Sequence, residues 1–275
     1  MNFLTFLDAL GEADTPGTLP RRATLHQLGR AAAAALPLAV GTALATPAVA
    51  QRAGTPLDFL LLALRLEWLE REFYTRATSA SANLPGLSAD LQVLKGHETL
   101  HATKLEGFVR ASGGTVPAQP NYDFTAGGGD PTKAIFATDV FTNPVTFLSV
   151  AQVLEDAGVR AYKALFSTFI TDRTILDVLV RIHTVEARHA AHIRKLRNQK
   201  AWVSKLDGGG PVPGKTDFVY AGEDNVKQPT TATATLDITT LDAYKDAAKL
   251  APVTEAFDEA FASTSVQQLL GLFTY

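Results

Sequence analysis

Glu67 and Glu98 stand 31 residues apart in this chain, and so do Glu155 and Glu186. The second Glu of each pair is followed three residues later by a histidine: Glu98 by His101, Glu186 by His189. The first Glu of each pair has a tyrosine seven residues on, Tyr74 and Tyr162. On a helix, three residues are nearly one turn. A Glu-x-x-His therefore projects a carboxylate and an imidazole from one face, about 5 Å apart along the axis, and the two can bind one metal together. Seven residues are almost two turns, so each first Glu shares a face with its tyrosine. One plan repeated at one spacing is what a symmetric metal site requires.

The surrounding sequence predicts the helices this plan needs. Thr55-Pro56 is a cap followed by proline at the first helical position. Leu57, Leu60, Leu61, Leu64 and Trp68 then recur at helical spacing, to about Thr78. Ser88 is read as the cap of a second helix, which carries Leu91, Leu94, Leu105 and Phe108 and stops at Gly113-Gly114. Asn143-Pro144 opens a third, with Phe147, Val150, Leu154, Ala161 and Leu165 on one face. Asp172 opens a fourth, expected from about Arg173 to Lys205. The links are short, long, short, with Gly127-Gly128-Gly129 inside the long one. This is the wiring of two helical hairpins joined by one crossover. A stretch of weak strand character follows (Thr216 to Thr240). Two helices are then expected, Leu241 to Leu250 and Thr254 to Leu272, the second docking on the bundle.

Composition narrows the chemistry. The chain has no cysteine, which excludes disulfides, thiol catalysis, cysteine zinc sites and iron–sulfur clusters. Any metal is left to histidine and carboxylate. A formal net charge of -3 argues against nucleic acid as a partner. Of six histidines, His26 lies in the leader and the other five sit on the second and fourth helices. His97 falls about 100° round the helix from Glu98, which suggests a surface or interface position. His183 and His192 lie near the metal stripe, His183 as a further ligand, a group supporting the ligands or a core group. Glu70 and Glu72 compete with Glu67 on the first helix, but neither has a tyrosine seven residues on, and both are expected to be solvated. Asp156 should point off the metal face. Glu67, set in an apolar run, should point inward, where a carboxylate needs a cation.

These residues resemble the ferritin-like superfamily of di-iron carboxylate proteins. Its ligand set is one Glu from each of two helices and Glu-x-x-His from each of the other two. The resemblance covers roughly residues 55–205. It implies an all-α, ferritin-like four-helix bundle with one long crossover and a C-terminal extension. The ligands it implies are Glu67, Glu98, His101, Glu155, Glu186 and His189, with Tyr74 and Tyr162 as hydrogen-bond partners behind the ligands or as plain core tyrosines. Four carboxylates balance two divalent ions, implying two Fe ions, with Mn or Zn as alternatives. Reaction with O2 or hydrogen peroxide follows, as ferroxidase or peroxide-reducing chemistry. The phrase from Leu66 to Tyr74 also looks like exported bacterial relatives of plant desiccation-associated proteins. The alternative function is a non-enzymatic envelope stress or desiccation-protection protein, with the bundle as a metal-stabilised scaffold. Assembly is expected to stop at a monomer or small homo-oligomer.

The first 50 residues read as a separate unit. Arg21-Arg22 precedes an uncharged Ala- and Leu-rich run from Ala31 to Gln51, with Ala48-Val49-Ala50 near its end. This resembles a twin-arginine export signal cleaved near Ala50. An uncleaved amino-terminal anchor is the alternative. The expected organisation is residues 1–50 as export signal, 51–206 as bundle and 207–275 as extension. The expected location is the periplasm or cell envelope, with no membrane attachment after cleavage.

Overall fold

The computed structural model describes residues 54–230, 234–246 and 250–275. The paired arginines and the cleavage pattern at Ala50 lie outside the described residues. Four long helices dominate: α1 (Pro56–Ala77), α2 (Ser88–Ala111), α3 (Pro144–Leu165) and α4 (Arg173–Leu196). α1 packs along α2 and α3 along α4. The two hairpins meet through α1 against α3 and α2 against α4. This is an all-α bundle.

Local chemistry sets three of the four starts. Thr55 caps α1 with a reciprocal box, its hydroxyl taking the Asp58 N–H while Asp58 takes the Thr55 N–H at 2.7 Å. Asn143 and Asp172 cap α3 and α4 through their side-chain oxygens. Ser88 is not the cap of α2. The helix already begins there, after Leu87, which offers no side-chain bond. The predicted apolar faces do point inward: Leu60, Leu64, Trp68, Leu91, Leu94, Leu105, Phe147, Val150 and Leu154 are all buried.

α4 ends at Leu196, well short of Lys205. Asn198 adopts φ 58°. The Gln199 N–H then reaches back to the Arg194 carbonyl at 2.9 Å and the Asn198 N–H to the Lys195 carbonyl at 3.0 Å. This double bond pattern with a left-handed asparagine closes a helix. The Arg194 guanidinium holds the returning chain through Asp207.

The extension also departs from expectation. Short α5 (Asp217–Tyr220) precedes a two-stranded antiparallel ribbon, β1 (Lys227–Pro229) with β2 (Thr235–Asp237), inside the stretch read as weakly strand-like. Residues 241–246 are not helical; α6 runs Leu250–Glu255. The helix expected from Thr254 to Leu272 is broken between α6 and α7 (Ser263–Phe273). Arg160 of α3 explains the break. Its carbonyl accepts the Phe261 N–H at 3.0 Å and its Nε donates to the Glu259 carbonyl at 2.9 Å, holding this backbone out of helix. As expected, the final helix docks, burying Val266, Leu269, Leu270 and Phe273 against α1, α3 and α5. The crossover is tied to the same end, through Asp123 N–H to the Phe273 carbonyl and paired bonds between Asn121 and Tyr275. Gly128 and Gly129, both at positive φ, allow this approach: a Cβ on Gly128 would lie 2.9 Å from the Gly271 carbonyl oxygen. Among the described residues no helix is long and apolar enough to cross a membrane.

Candidate metal centre

The mid-bundle turns of all four long helices converge on one polar cluster. α1 supplies Glu67, α3 Glu155, α2 Glu98 and His101, and α4 Glu186 and His189. All six residues are buried, the four carboxylates completely. Their donor atoms form two quartets, each with atoms within 4.8 Å of one another: Glu67, Glu98, His101 and Glu186, then Glu98, Glu155, Glu186 and His189. Glu98 and Glu186 belong to both. The His101 Nδ1 lies 3.3, 3.1 and 3.0 Å from Glu67, Glu98 and Glu186. The His189 Nδ1 lies 2.9 Å from Glu98 and 3.4 Å from Glu155.

Tyr74 and Tyr162 are buried hydrogen-bond donors to the cluster, but each serves the other hairpin. Tyr74 donates to Glu155 and Tyr162 to Glu67. Seven residues separate a tyrosine from its own Glu by about 10 Å along the axis, beyond direct reach. Because α1 and α3 run antiparallel, each tyrosine instead falls beside the opposite Glu.

Glu70 corrects the sequence reading. It is not solvated but completely buried beside the cluster, and neither carboxylate oxygen has a hydrogen-bond partner among the described residues. The reason lies across the bundle. The hairpins correspond at an offset of 88 residues (67 to 155, 98 to 186), which pairs Glu70 with Gly158. A Cβ on Gly158 would lie 3.2 Å from Glu70 Oε1 and 3.0 Å from Glu186 Oε2. The glycine thus leaves the space that the extra carboxylate fills. Glu72, half-buried, pairs with Arg76 at 2.9 Å, away from the cluster. Asp156 also faces away, toward Arg194.

The remaining histidines divide. His183 Nδ1 lies 3.0 Å from the Val159 carbonyl, and His192 pairs with Asp90 at 3.2 Å near the surface; neither belongs to a quartet. His97, expected at a surface or interface, is partly buried with its Nδ1 2.9 Å from His189 Nε2. The 100° offset from Glu98 turns it toward α4 rather than to solvent. Sequence spacing carried no sign of that contact, which depends on how α2 and α4 pair.

Five buried carboxylates around two imidazoles make an electrostatically unsatisfied core. Burial pushes Glu67 up to about 7 against the pull of His101. Burial, then the neighbouring Glu186 and Glu67 charges, keeps Glu70 well above the usual range, and Glu186 is raised for similar reasons. Burial would raise Glu98 too, but the two imidazoles beside it hold it down at about 2. Burial opposes charge on His189, yet Glu155 and Glu98 lift it to about 11. Among the described residues, oxygens of Glu67, Glu70, Glu98, Glu155 and Glu186 remain without a hydrogen bond of good geometry. Orphaned buried carboxylate oxygens beside inward-facing imidazole nitrogens fit hard divalent cations.

Residues 55–199, more than half of the chain, match the family described as Ferritin-like domain. No curated protein matches the chain.

Proposed function

The chain belongs to the ferritin-like domain family, and on that premise we propose that it holds two iron ions between its four long helices and reacts with O2 or hydrogen peroxide. The supporting observation is the pair of buried quartets sharing Glu98 and Glu186, lined with oxygens that no hydrogen bond satisfies. Glu67 and His101 would complete one half, Glu155 and His189 the other. Two bound Fe(II) supply two electrons, as in ferroxidase or peroxide-reducing chemistry. The chain's own part is to exclude water and fix its donors. Trp68, Leu64, Leu105, Val150 and Leu154 are buried around the bundle interior. The Tyr74 and Tyr162 hydroxyls each occupy one oxygen of Glu155 and Glu67, leaving the other oxygen free to ligate.

The test is metal content and Fe(II) oxidation in air by the purified chain, with Glu67→Ala and Glu72→Ala alongside. We expect two ions per chain and oxidation above the buffer blank. Glu67→Ala should slow oxidation by at least about tenfold, the low end of what even indirect changes around a metal cost, and Glu72→Ala should not. A folded wild-type chain that takes up no metal and oxidises no iron would overturn the enzyme reading and favour the envelope scaffold.

We further propose that the protein works in the cell envelope, which the Arg21-Arg22 leader supports. Amino-terminal sequencing should find Gln51 first; soluble cytoplasmic protein retaining residues 1–50 would end that proposal.

A further inference from the structure

The two halves of the centre differ in what stands behind their histidines. Both rings turn Nδ1 inward. Behind His189, the Nε2 lies 2.9 Å from His97 Nδ1. The two rings are within 6° of parallel with centroids 5.2 Å apart. That separation is the N···N distance plus the two half-rings, so the imidazoles lie edge to edge in one plane rather than face to face. This is the geometry of an in-plane N–H···N hydrogen bond. Behind His101 no such bond exists among the described residues. The residue corresponding to His97 at the 88-residue offset is Val185, which has no side-chain acceptor.

We propose that His97 is a positioning residue that fixes the ring and tautomer of His189 and so makes the two metal half-sites unequal. This rests on reading the centre as a metal site. A neutral imidazole that lends its Nδ1 lone pair to a cation carries its proton on Nε2. In His189 that proton is directed at His97 Nδ1, which must therefore be bare, with the His97 proton on its own Nε2. A ligand histidine held by a partner on its far nitrogen cannot swing or change tautomer without breaking that bond, and its basicity rises. The half-site built from Glu98, Glu155, Glu186 and His189 is therefore the stronger one. The His101 half lacks this support.

The experiment is a calorimetric titration of the metal-free chain with Zn(II), which adds no redox step, on wild type, His97→Phe and His97→Asn. Phenylalanine keeps an aromatic ring and loses the acceptor. Asparagine places Oδ1 where Nδ1 was. We expect two unequal affinities in wild type. His97→Phe should weaken the stronger by about 10- to 100-fold, the usual cost of losing such a partner, and leave the other as it was, while His97→Asn restores the wild-type pattern. In parallel, nitrogen NMR of the metal-free wild type should find His97 with its proton on Nε2. Unchanged Zn(II) affinities in His97→Phe, equal weakening of both sites, or failure of asparagine to rescue would each overturn the proposal. A wild type that binds no Zn(II) would sink the metal reading itself. The NMR arm would then still decide the contact, since a proton on His97 Nδ1 overturns it with or without metal.

Discussion

Alanine at both His101 and His189 is expected to abolish tight binding of both ions. Each quartet has one nitrogen donor, and the double substitution removes both. Each affinity should fall by more than the roughly 10- to 100-fold that loss of an indirect partner costs. The metal-free fold should respond as well. Among the described residues the imidazoles are the only cations that ion-pair with Glu67, Glu98 or Glu186. Without them Glu98 is no longer held down at about 2, and burial raises it with its neighbours. A carboxylate raised in the folded state is still protonated there when the unfolded chain has already lost its proton. Stability then falls as pH climbs above the unfolded value near 4.5. The double variant should therefore denature more easily at pH 8 than at pH 5. Metal analysis after dialysis, with urea melts at both pH values, reads both effects. Two tightly bound ions in the double variant would refute the ligand assignment.

Arg194→Leu is expected to cost about 3–5 kcal/mol of stability, the usual consequence of stripping one partner from a buried ion pair. The guanidinium is almost wholly buried. It grips Asp156 through two bonds of 2.8 and 2.6 Å and Asp207 through two of 3.1 and 3.0 Å. Tyr220 adds a hydroxyl bond of 2.8 Å to the same Asp156. Burial already raises Asp156, and Arg194 is the main force opposing that rise. Leucine would leave Asp156 buried with no cation and would release the returning chain at Asp207. Adding Asp156→Leu should recover part of the loss, because the unpaired charge goes with it. Urea midpoints of the single and double variants test this. A loss under about 1 kcal/mol for the single change would show that the network is solvated.

The sequence and the structure agree where function depends on short-range spacing. The helix starts at Thr55, Asn143 and Asp172 are written in their capping side chains. The convergence of the Glu-x-x-His pairs is written in their register. Disagreement begins where a residue answers to something distant. Glu70 reads as a solvent-facing acid until Gly158, 88 positions on, is set opposite it. The tyrosines share a face with their own glutamates but bond the others, because helix direction is a property of the assembled bundle. The break before α7 depends on Arg160, about a hundred residues upstream. The end of α4 is a different case. Asn198 is a stop signal, hidden among basic residues that favour helix near a C-terminus.

The exchanged tyrosines have a consequence for symmetry. Since each hairpin completes the other's carboxylate, neither can build half a site alone. Two identical copies of one hairpin, related by a two-fold axis, would satisfy every tyrosine contact, as the isologous interface of a dimer does. In those terms residues 112–143 act as a tether that raises effective concentration. What the tether permits is inequality. An identical pair would set Glu70 against a second Glu70, or Gly158 against a second Gly158, and would back both inward-facing histidines or neither. Two different hairpins, joined here in one chain, can put five carboxylates in one centre and an imidazole behind just one side.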